Sequence, residues 1–303
     1  MGQLEDIQVF IRIVEAGGIG KAADQLNMAK SAVSRRLSDL ESRLSTKLIQ
    51  RTTRTLNLTE AGQVYYQNAL KVVDSVDELN HTVQSADNVL KGTLRIALPL
   101  SFGLLHLTPL LDQFAKMHPE LTLKLDFSDR EIDMIEEGVD LAFRIGELKD
   151  TTIQARKIVP IHFVLCASPS YLQNFNKPKT PEDLKQHHVL RYSADQNRPW
   201  FFTSKTGETQ SITLQSRLHA NNGEFLLKMA EAGHGITLLP TFITWQAIKE
   251  GHLLAVLSDY DLPAINAYAV YPQNRFLSQK ARVFIDYLVE QFSHQPYWDQ
   301  EIR

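Results

Sequence analysis

Ser31–Leu44 reads SAVSRRLSDLESRL, three arginines in a segment of good helix formers. Val33, Leu37, Leu40 and Leu44 step by four, three and four, which predicts a helix with one apolar stripe. Ser31, Arg35, Ser38 and Ser42 fall on the opposite side. Small side chains there let the backbone come close to a surface, and Arg35 can reach forward as a bidentate donor. A helix lying in a DNA major groove needs both features. Arg36 sits on the flank, where a phosphate contact is expected.

The charge of the chain supports a polyanion partner at this place. The 303 residues carry a net charge of −3, yet Lys21 to Leu58 holds eight cations against three acids. A compact positive segment on an otherwise acidic protein points to local binding of a polyanion. Hydrophobic residues make up 43% and charged residues 22%, a composition that fits a globular protein of two or three domains. No apolar run reaches the roughly 18 residues of a membrane helix. The opening MGQLEDIQVF has acids where a secretory signal has bases. A cytoplasmic protein without a membrane partner is therefore expected. Cys166 is the only cysteine, which excludes an intramolecular disulfide, and its setting FVLCAS reads as an inert core position.

Two shorter helices precede the basic one. Leu4, Ile7, Phe10, Ile11 and Val14 make an apolar face that AGG at 16–18 ends. KAADQL at 21–26 supplies Ala22, Ala23 and Leu26 for close packing. Two helices joined by a tight turn, the second one basic, read as helix-turn-helix. LIQRTTRTLNLT follows, with Leu48, Ile49, Leu56 and Leu58 apolar and Arg51 and Arg54 between them. That pattern predicts a two-stranded wing whose cations touch phosphates or the minor groove. GGIGKA at 17–22 is a weak match to a phosphate-binding loop, because it lies between helices and has no Ser or Thr after Lys21.

These first sixty-odd residues resemble the winged helix-turn-helix of LysR-type transcriptional regulators. The resemblance rests on Phe10, Val14, Ala22-Ala23, Leu26, SAVSRR at 31–36, Leu40-Glu41, Leu44, Arg51, Arg54 and LTEAG at 58–62. It implies base-reading positions at Lys30, Ser31, Ala32, Ser34 and Arg35, and backbone contacts at Arg51 and Arg54. Gly18 and Gly20 stand where the family has a capping Ser and a Ser or Thr. Ser45 replaces a glycine at the end of the recognition helix, and Ile49 a phenylalanine in the wing. None of these departures removes an expected DNA contact.

Thr59 can cap the next helix, and Glu60 suits its dipole. Tyr65, Ala69, Val72, Val76, Leu79, Val83, Ala86 and Leu90 then alternate in steps of four and three. This a/d seam predicts a helix of about 30 residues, roughly 45 Å long, that pairs with a second copy. A dimer suits a DNA site with twofold symmetry. The resemblance implies the same dimer and often a tetramer. The expected division is a DNA-binding domain at 1–58, a linker helix at 59–90 and an effector domain at 91–303.

From KGTLRIAL at 91–98 onward, strand-like and helical runs alternate. LTLKLDF, the helical run REIDMIEEG at 130–138, and DLAFRIG come first. IHFVLCA, SRLHA, GITLLP and NAYAVYP follow, with helical runs at 224–232 and 278–292. The alternation predicts an α/β fold with largely parallel sheets in two halves, about 91–161 with 267–303, and 162–266. The halves meet near 160–163 and 266–268. Ligands in such folds sit at strand ends and helix starts, in the cleft between halves. PLSFG, LSDR, FRIGEL, CASPSYL, HANNGE and GHGITLLP resemble the effector domain of the same family, in its CrgA-like subgroup, a fold shared with type 2 periplasmic binding proteins.

By position, the resemblance lines the effector cleft with Ser101, Phe102, Arg144, Ile145, Arg191, Tyr192, Asn221, Asn222 and Gly223. The two arginines there lead to the expectation of a small anionic effector, such as a carboxylate. The regulator reading leads to double-stranded DNA and, for an activator, RNA polymerase as partners. An enzyme or a solute-binding protein on the same fold is the alternative. His187-His188 lacks metal-ligand spacing, and Asp129-Arg130-Glu131 with Asp133 reads as helix-start charge. No catalytic set, metal site or cofactor is expected.

Overall fold

The computed structural model describes residues 2–51, 56–84, 89–130, 132–134, 137–148, 153–193, 198–272 and 277–300. Arg54 and Ala86 lie outside the described residues, as do the side chains of Arg51, Leu79 and Val83.

The amino-terminal unit is built from α1 (Gln3–Ala16), α2 (Ile19–Gln25) and α3 (Lys30–Arg43), followed by β1 (Ile49–Arg51) and β2 (Leu56–Leu58). Gly17 ends α1 at φ 69°, a left-handed position that glycine takes without strain. Phe10, Ile13, Ala22, Val33, Leu37 and Leu40 are fully buried and form the core. The predicted stripe of α3 therefore faces inward, except that Leu44, at its C-cap, stays exposed. β1 and β2 pair antiparallel, with Ile49 opposite Leu58 and Arg51 opposite Leu56, so the wing forms as expected. Ser45 sits at φ 50°, the left-handed region, which costs a residue other than glycine roughly 1–2 kcal/mol.

α4 (Glu60–Gln84) begins where Thr59 Oγ1 accepts the Gly62 N–H at 2.9 Å. Its first turns pack on α1. Ala69 is buried with Ile7 and Ile11, and the Tyr65 ring meets Phe10 edge-on at 5.5 Å. Leu90 is buried in the core of the carboxy-terminal unit. Ala69 and Leu90 thus belong to cores of their own chain and are corrected from the predicted seam, while Tyr65 is half-buried against α1. A 3.5-residue period marks an apolar stripe but does not say what covers it. Val72 is 45% exposed and Val76 half-buried, so the uncovered part of the stripe begins there.

The carboxy-terminal unit holds two mixed sheets. β3 (Gly92–Leu98) leads into the short α5 (Leu100–Phe102), a π turn (Gly103–Leu107) and α6 (Thr108–Met117). β4 (Leu121–Phe127), β5 (Leu141–Ile145) and β6 (Ile153–Ile161) follow, and the late strand β15 (Ile265–Pro272) completes the order β4-β3-β5-β15-β6. β3 runs parallel to β4 and β5, while β15 runs antiparallel to β5 and β6. The second sheet starts at β7 (Phe163–Ala167), followed by α7 (Pro169–Phe175) and β8 (Val189–Tyr192). β9 (Trp200–Ser204) and β10 (Thr209–Ile212) branch off, and β11 (Leu218–Ala220), α8 (Gly223–Glu231), β12 (Ile236–Pro240) and α9 (Thr241–Lys249) return. β13 (Leu254–Ala255) completes the order β11-β8-β12-β7-β13, and β14 (Tyr260–Asp261) joins β9 and β10 in a separate three-stranded sheet. α10 (Gln279–Gln291) and a short turn, Tyr297–Asp299, lie at the carboxy end.

Two features differ from the reading of the sequence. β7 and β13 run antiparallel to their neighbours in the second sheet, so neither sheet is wholly parallel. The described residues of 130–138 carry no helix; Arg130 instead pairs with Asp126 of β4 and with Glu137.

Candidate DNA interface and effector cleft

α3 presents Lys30, Ser31 and Arg35 to solvent, with Ala32 and Ser34 half-buried beside them. The Arg35 side chain is 84% exposed, and its ionic neighbour among the described residues is Asp39, at 3.9 Å. A single exposed pair of that length is worth a fraction of a kcal/mol and leaves the guanidinium free to move. Arg36 is different. Its Nη1 donates to Asp6 at 2.9 Å and its Nη2 to Glu5 at 2.8 Å. Arg43 donates to the other Asp6 oxygen at 2.8 Å. The hydrogen bonds to Glu5 and Asp6 raise the Arg36 pKa. Arg36 ties α3 to α1 and is corrected from the set of DNA contacts. Composition showed the arginines; only the packing of α1 across α3 placed the acids opposite one of them.

Glu41 is a residue whose role spacing did not reveal. It is buried, and its Oε1 accepts the N–H groups of Leu48 and Ile49 at 3.0 and 3.2 Å, while Lys47 donates to Oε2 at 2.6 Å. Burial pushes this carboxyl up, but Lys47 and the two N–H groups outweigh it and hold the pKa below the ordinary value. The carboxylate ties the start of the wing to α3.

In the carboxy-terminal unit, the parallel strands put their carboxyl ends at one edge of each sheet. Ser101 follows β3, Arg144 and Ile145 end β5, Arg191 and Tyr192 end β8, and Asn221 to Gly223 follow β11. One hydrogen bond shows that these edges face each other. Ser101 Oγ donates to Glu224 Oε2 at 3.1 Å, from the first sheet's half to the first turn of α8 in the second. A cleft between opposed carboxyl ends is where ligands of α/β folds bind.

The expected lining sorts into three groups. Ser101, Arg144 and Asn221 lie at strand ends facing the other half; Ser101 is buried there, Asn221 is exposed, and Arg144 Nη1 donates to the Arg130 carbonyl at 3.1 Å. Asn222 and Gly223 build its wall. The Asn222 side chain caps α8 by accepting the Phe225 N–H at 2.8 Å. A Cβ on Gly223 would lie 2.5 Å from Ile243 Cδ1, so the start of α8 presses directly on α9. Ile145 and Tyr192 are partly buried against the main core.

Phe102 and Arg191 are corrections, because both are core. Phe102 is fully buried, stacked on Phe143 at 5.5 Å and edge-on to Phe242 and Trp298. Arg191 is 2% exposed, donates to the carbonyls of Leu214 and Arg198, and lies 5.1 Å over the Trp200 ring. The three-stranded sheet of β9, β10 and β14 covers the end of β8, and its strands were not visible in the sequence pattern. Glu224, the last residue of HANNGE, is not among the residues the sequence assigns to the cleft; an acid in the first turn after an Asn cap is the signal that marks it.

Residues 4–63 match the family description "Bacterial regulatory helix-turn-helix protein, lysR family", and residues 87–293 match "LysR substrate binding domain". The chain belongs to the LysR family of transcriptional regulators. It is 38% identical to an HTH-type transcriptional regulator of Haemophilus influenzae over 282 residues, covering 92% of this chain and 97% of that one. It is 32% identical to the HTH-type transcriptional regulator CrgA of Neisseria meningitidis over 292 residues, covering 96% and 97%. The structure of that species' CrgA superposes with a TM-score of 0.61 at 31% identity, covering 97% of this chain and all of the other. Full-length AphB of Vibrio cholerae, described as a virulence activator, superposes with a TM-score of 0.60 at 27% identity, covering 96% and all of it.

As a LysR-family member, the protein is a DNA-binding transcriptional regulator with an effector-binding domain. The family's members are regulators, in keeping with the winged helix-turn-helix in front of the cleft. Among the described residues, no helix is long and apolar enough to cross a membrane.

Proposed function

We propose that the protein regulates transcription as a twofold dimer, reading operator DNA with α3 and responding to a small molecule held between Ser101 and Arg144 on one side and Asn221 and Glu224 on the other. The division is a DNA-binding domain at 1–58, a linker at 59–90 and an effector domain at 91–303. The observation that carries the DNA reading is the exposure of Arg35 on the open face of α3, beside an Arg36 that packing has engaged. Arg51 and Arg54 supply phosphate contacts from the wing. If the protein activates its target, RNA polymerase is the further partner.

The anionic effector keeps only part of its support. Arg191 lies in the core, which leaves Arg144 as the cation and places the Glu224 carboxylate opposite. A carboxylate that also carries a hydroxyl or amino group matches this pair, its anion toward Arg144 and its donor toward Glu224.

Arg35→Ala tests the groove assignment. A bidentate base contact is worth about 1–3 kcal/mol of discrimination. Arg35→Ala therefore lowers the ratio of operator to random-DNA affinity by roughly 5- to 150-fold in anisotropy titrations. Arg36→Ala lowers the melting temperature and leaves that ratio unchanged. Arg51→Ala and Arg54→Ala weaken binding to every sequence and reduce the salt slope by about one each. An unchanged ratio for Arg35→Ala removes α3 from the groove.

The dimer is tested on the stripe beyond Val72. Val76→Glu with Leu79→Glu would bury four carboxylates at a twofold seam, at a cost of several kcal/mol. Light scattering should then report monomers, and operator binding should be lost with the effector domain still folded. An oligomer of parental size would mean that the stripe packs within its own chain.

A further inference from the structure

The short turn at the carboxy end touches both walls of the cleft. Asp299 is fully buried. Its Oδ2 lies 2.7 Å from His162 Nδ1, and its Oδ1 accepts from Thr241 Oγ1 at 2.6 Å. His162 is the residue that links β6 of the first sheet to β7 of the second, and its carbonyl accepts the Thr241 N–H at 2.9 Å. Thr241 starts α9, the helix on which Gly223 and the first turn of α8 rest. The Glu224 wall is thus seated on Asp299 through α9.

The Ser101 wall reaches the same turn by another route. Ser101 is joined through Phe102 to the π turn, and π turns are rare inserts that concentrate at functional sites. His106, buried in that turn, bonds to Tyr297 Oη at 2.6 Å through Nδ1 and to the Phe242 carbonyl of α9 at 3.0 Å through Nε2. Its ring lies 4.3 Å from that of Trp298, which is buried and edge-on to Phe102. One turn of the chain therefore contacts the segment behind Ser101, the helix behind Glu224 and the link between the sheets.

We infer that Asp299 is a positioning residue for the effector cleft: through Thr241 and His162 it sets the angle between the two halves, and so the separation of Ser101 from Glu224. The inference rests on the effector cleft lying between these halves. Effector closure then works against this seat, so the carboxy-terminal turn decides which cleft widths the unliganded regulator visits.

The test is an electron-spin distance measurement on the full-length protein without ligand or DNA. Spin labels go on Met117→Cys in α6 and Asn174→Cys in α7, both exposed and one in each half. Cys166 stays unlabelled, since burial closes it off and pushes its thiol up to about 12. Labelled protomers are diluted with a large excess of unlabelled protein so that distances within one chain are read, and the parent then gives one narrow distribution. Asp299→Ala shifts and broadens it well below the melting temperature. Asp299→Asn keeps the parental distribution, because an amide can still accept from Thr241 and donate to His162 Nδ1. If Asp299→Ala does not fold, Thr241→Val removes one of the two bonds at nearly constant volume and should shift the distribution in the same direction. A parental distribution for the folded Asp299→Ala or for Thr241→Val overturns the inference, as does an equal shift by Asp299→Asn and Asp299→Ala. A misplaced effector site would leave these distances unaffected, so the two failures are distinguishable.

Discussion

Arg191→Ala destabilises the effector domain by about 5 kcal/mol. Each hydrogen bond from a charged donor is worth about 1.5–3 kcal/mol, and a desolvated cation over an aromatic ring about 2 kcal/mol. Arg191 supplies both, donating to the carbonyls of Leu214 and Arg198 and covering Trp200. Its removal leaves buried carbonyls short of a donor and opens a cavity beneath the β9–β10 sheet. The melting temperature of the full-length protein's effector-domain transition should fall by roughly 10 °C. Arg144→Ala should leave that transition within about 2 °C of the parent, because among the described residues Arg144 holds a single carbonyl, that of Arg130. A stable Arg191→Ala protein with an altered small-molecule response would return Arg191 to the effector site.

The second large effect is a pH dependence centred on His106. Burial lowers its pKa from 6.5 to about 4, against a smaller opposite effect of the Phe242 carbonyl. That carbonyl can only accept, so Nε2 carries the proton and Nδ1 accepts from the Tyr297 hydroxyl. The folded pKa lies below the unfolded one, so the unfolded chain takes up the proton first as pH falls. The contribution to stability is complete above 6.5, declines through the interval and is gone by about 4. Over that range the loss is about 3 kcal/mol at 1.36 kcal/mol per unit. His118 and His187, also lowered by burial, act in the same direction. Calorimetry between pH 4 and 7.5 should show His106→Gln with a shallower slope than the parent, the difference isolating this one imidazole. Parallel slopes would mean that His106 can be protonated in the folded state.

Local chemistry made much of this protein legible from its residues. The period of Val33, Leu37 and Leu40 identified the buried side of α3 and, by subtraction, the face that carries Arg35, because a helix repeats within four residues. Thr59 announced the start of α4, and the alternating runs after residue 91 announced two sheets. Ser101, Arg144 and Asn221 came from the family resemblance, and the structure places them at the ends of β3, β5 and β11.

Long-range packing decided what those patterns left open. Arg35 and Arg36 are adjacent and chemically identical, yet one is open to solvent and the other bound by Glu5 and Asp6, some thirty positions earlier in the chain. Tyr65 and Ala69 carry the same heptad spacing as Val72, but α1 lies over the first two. Arg191 stands at a strand end like Arg144, and differs only because β9, β10 and β14 fold across it. Spacing along the chain sets which face of an element a side chain occupies. What meets that face is set by segments tens to hundreds of residues away, and the energy of a buried cation or carboxylate depends on those partners. The sequence alone therefore determined most of the elements and the buried face of α3; the tertiary structure decided which arginines stay open to solvent and which hold the fold together.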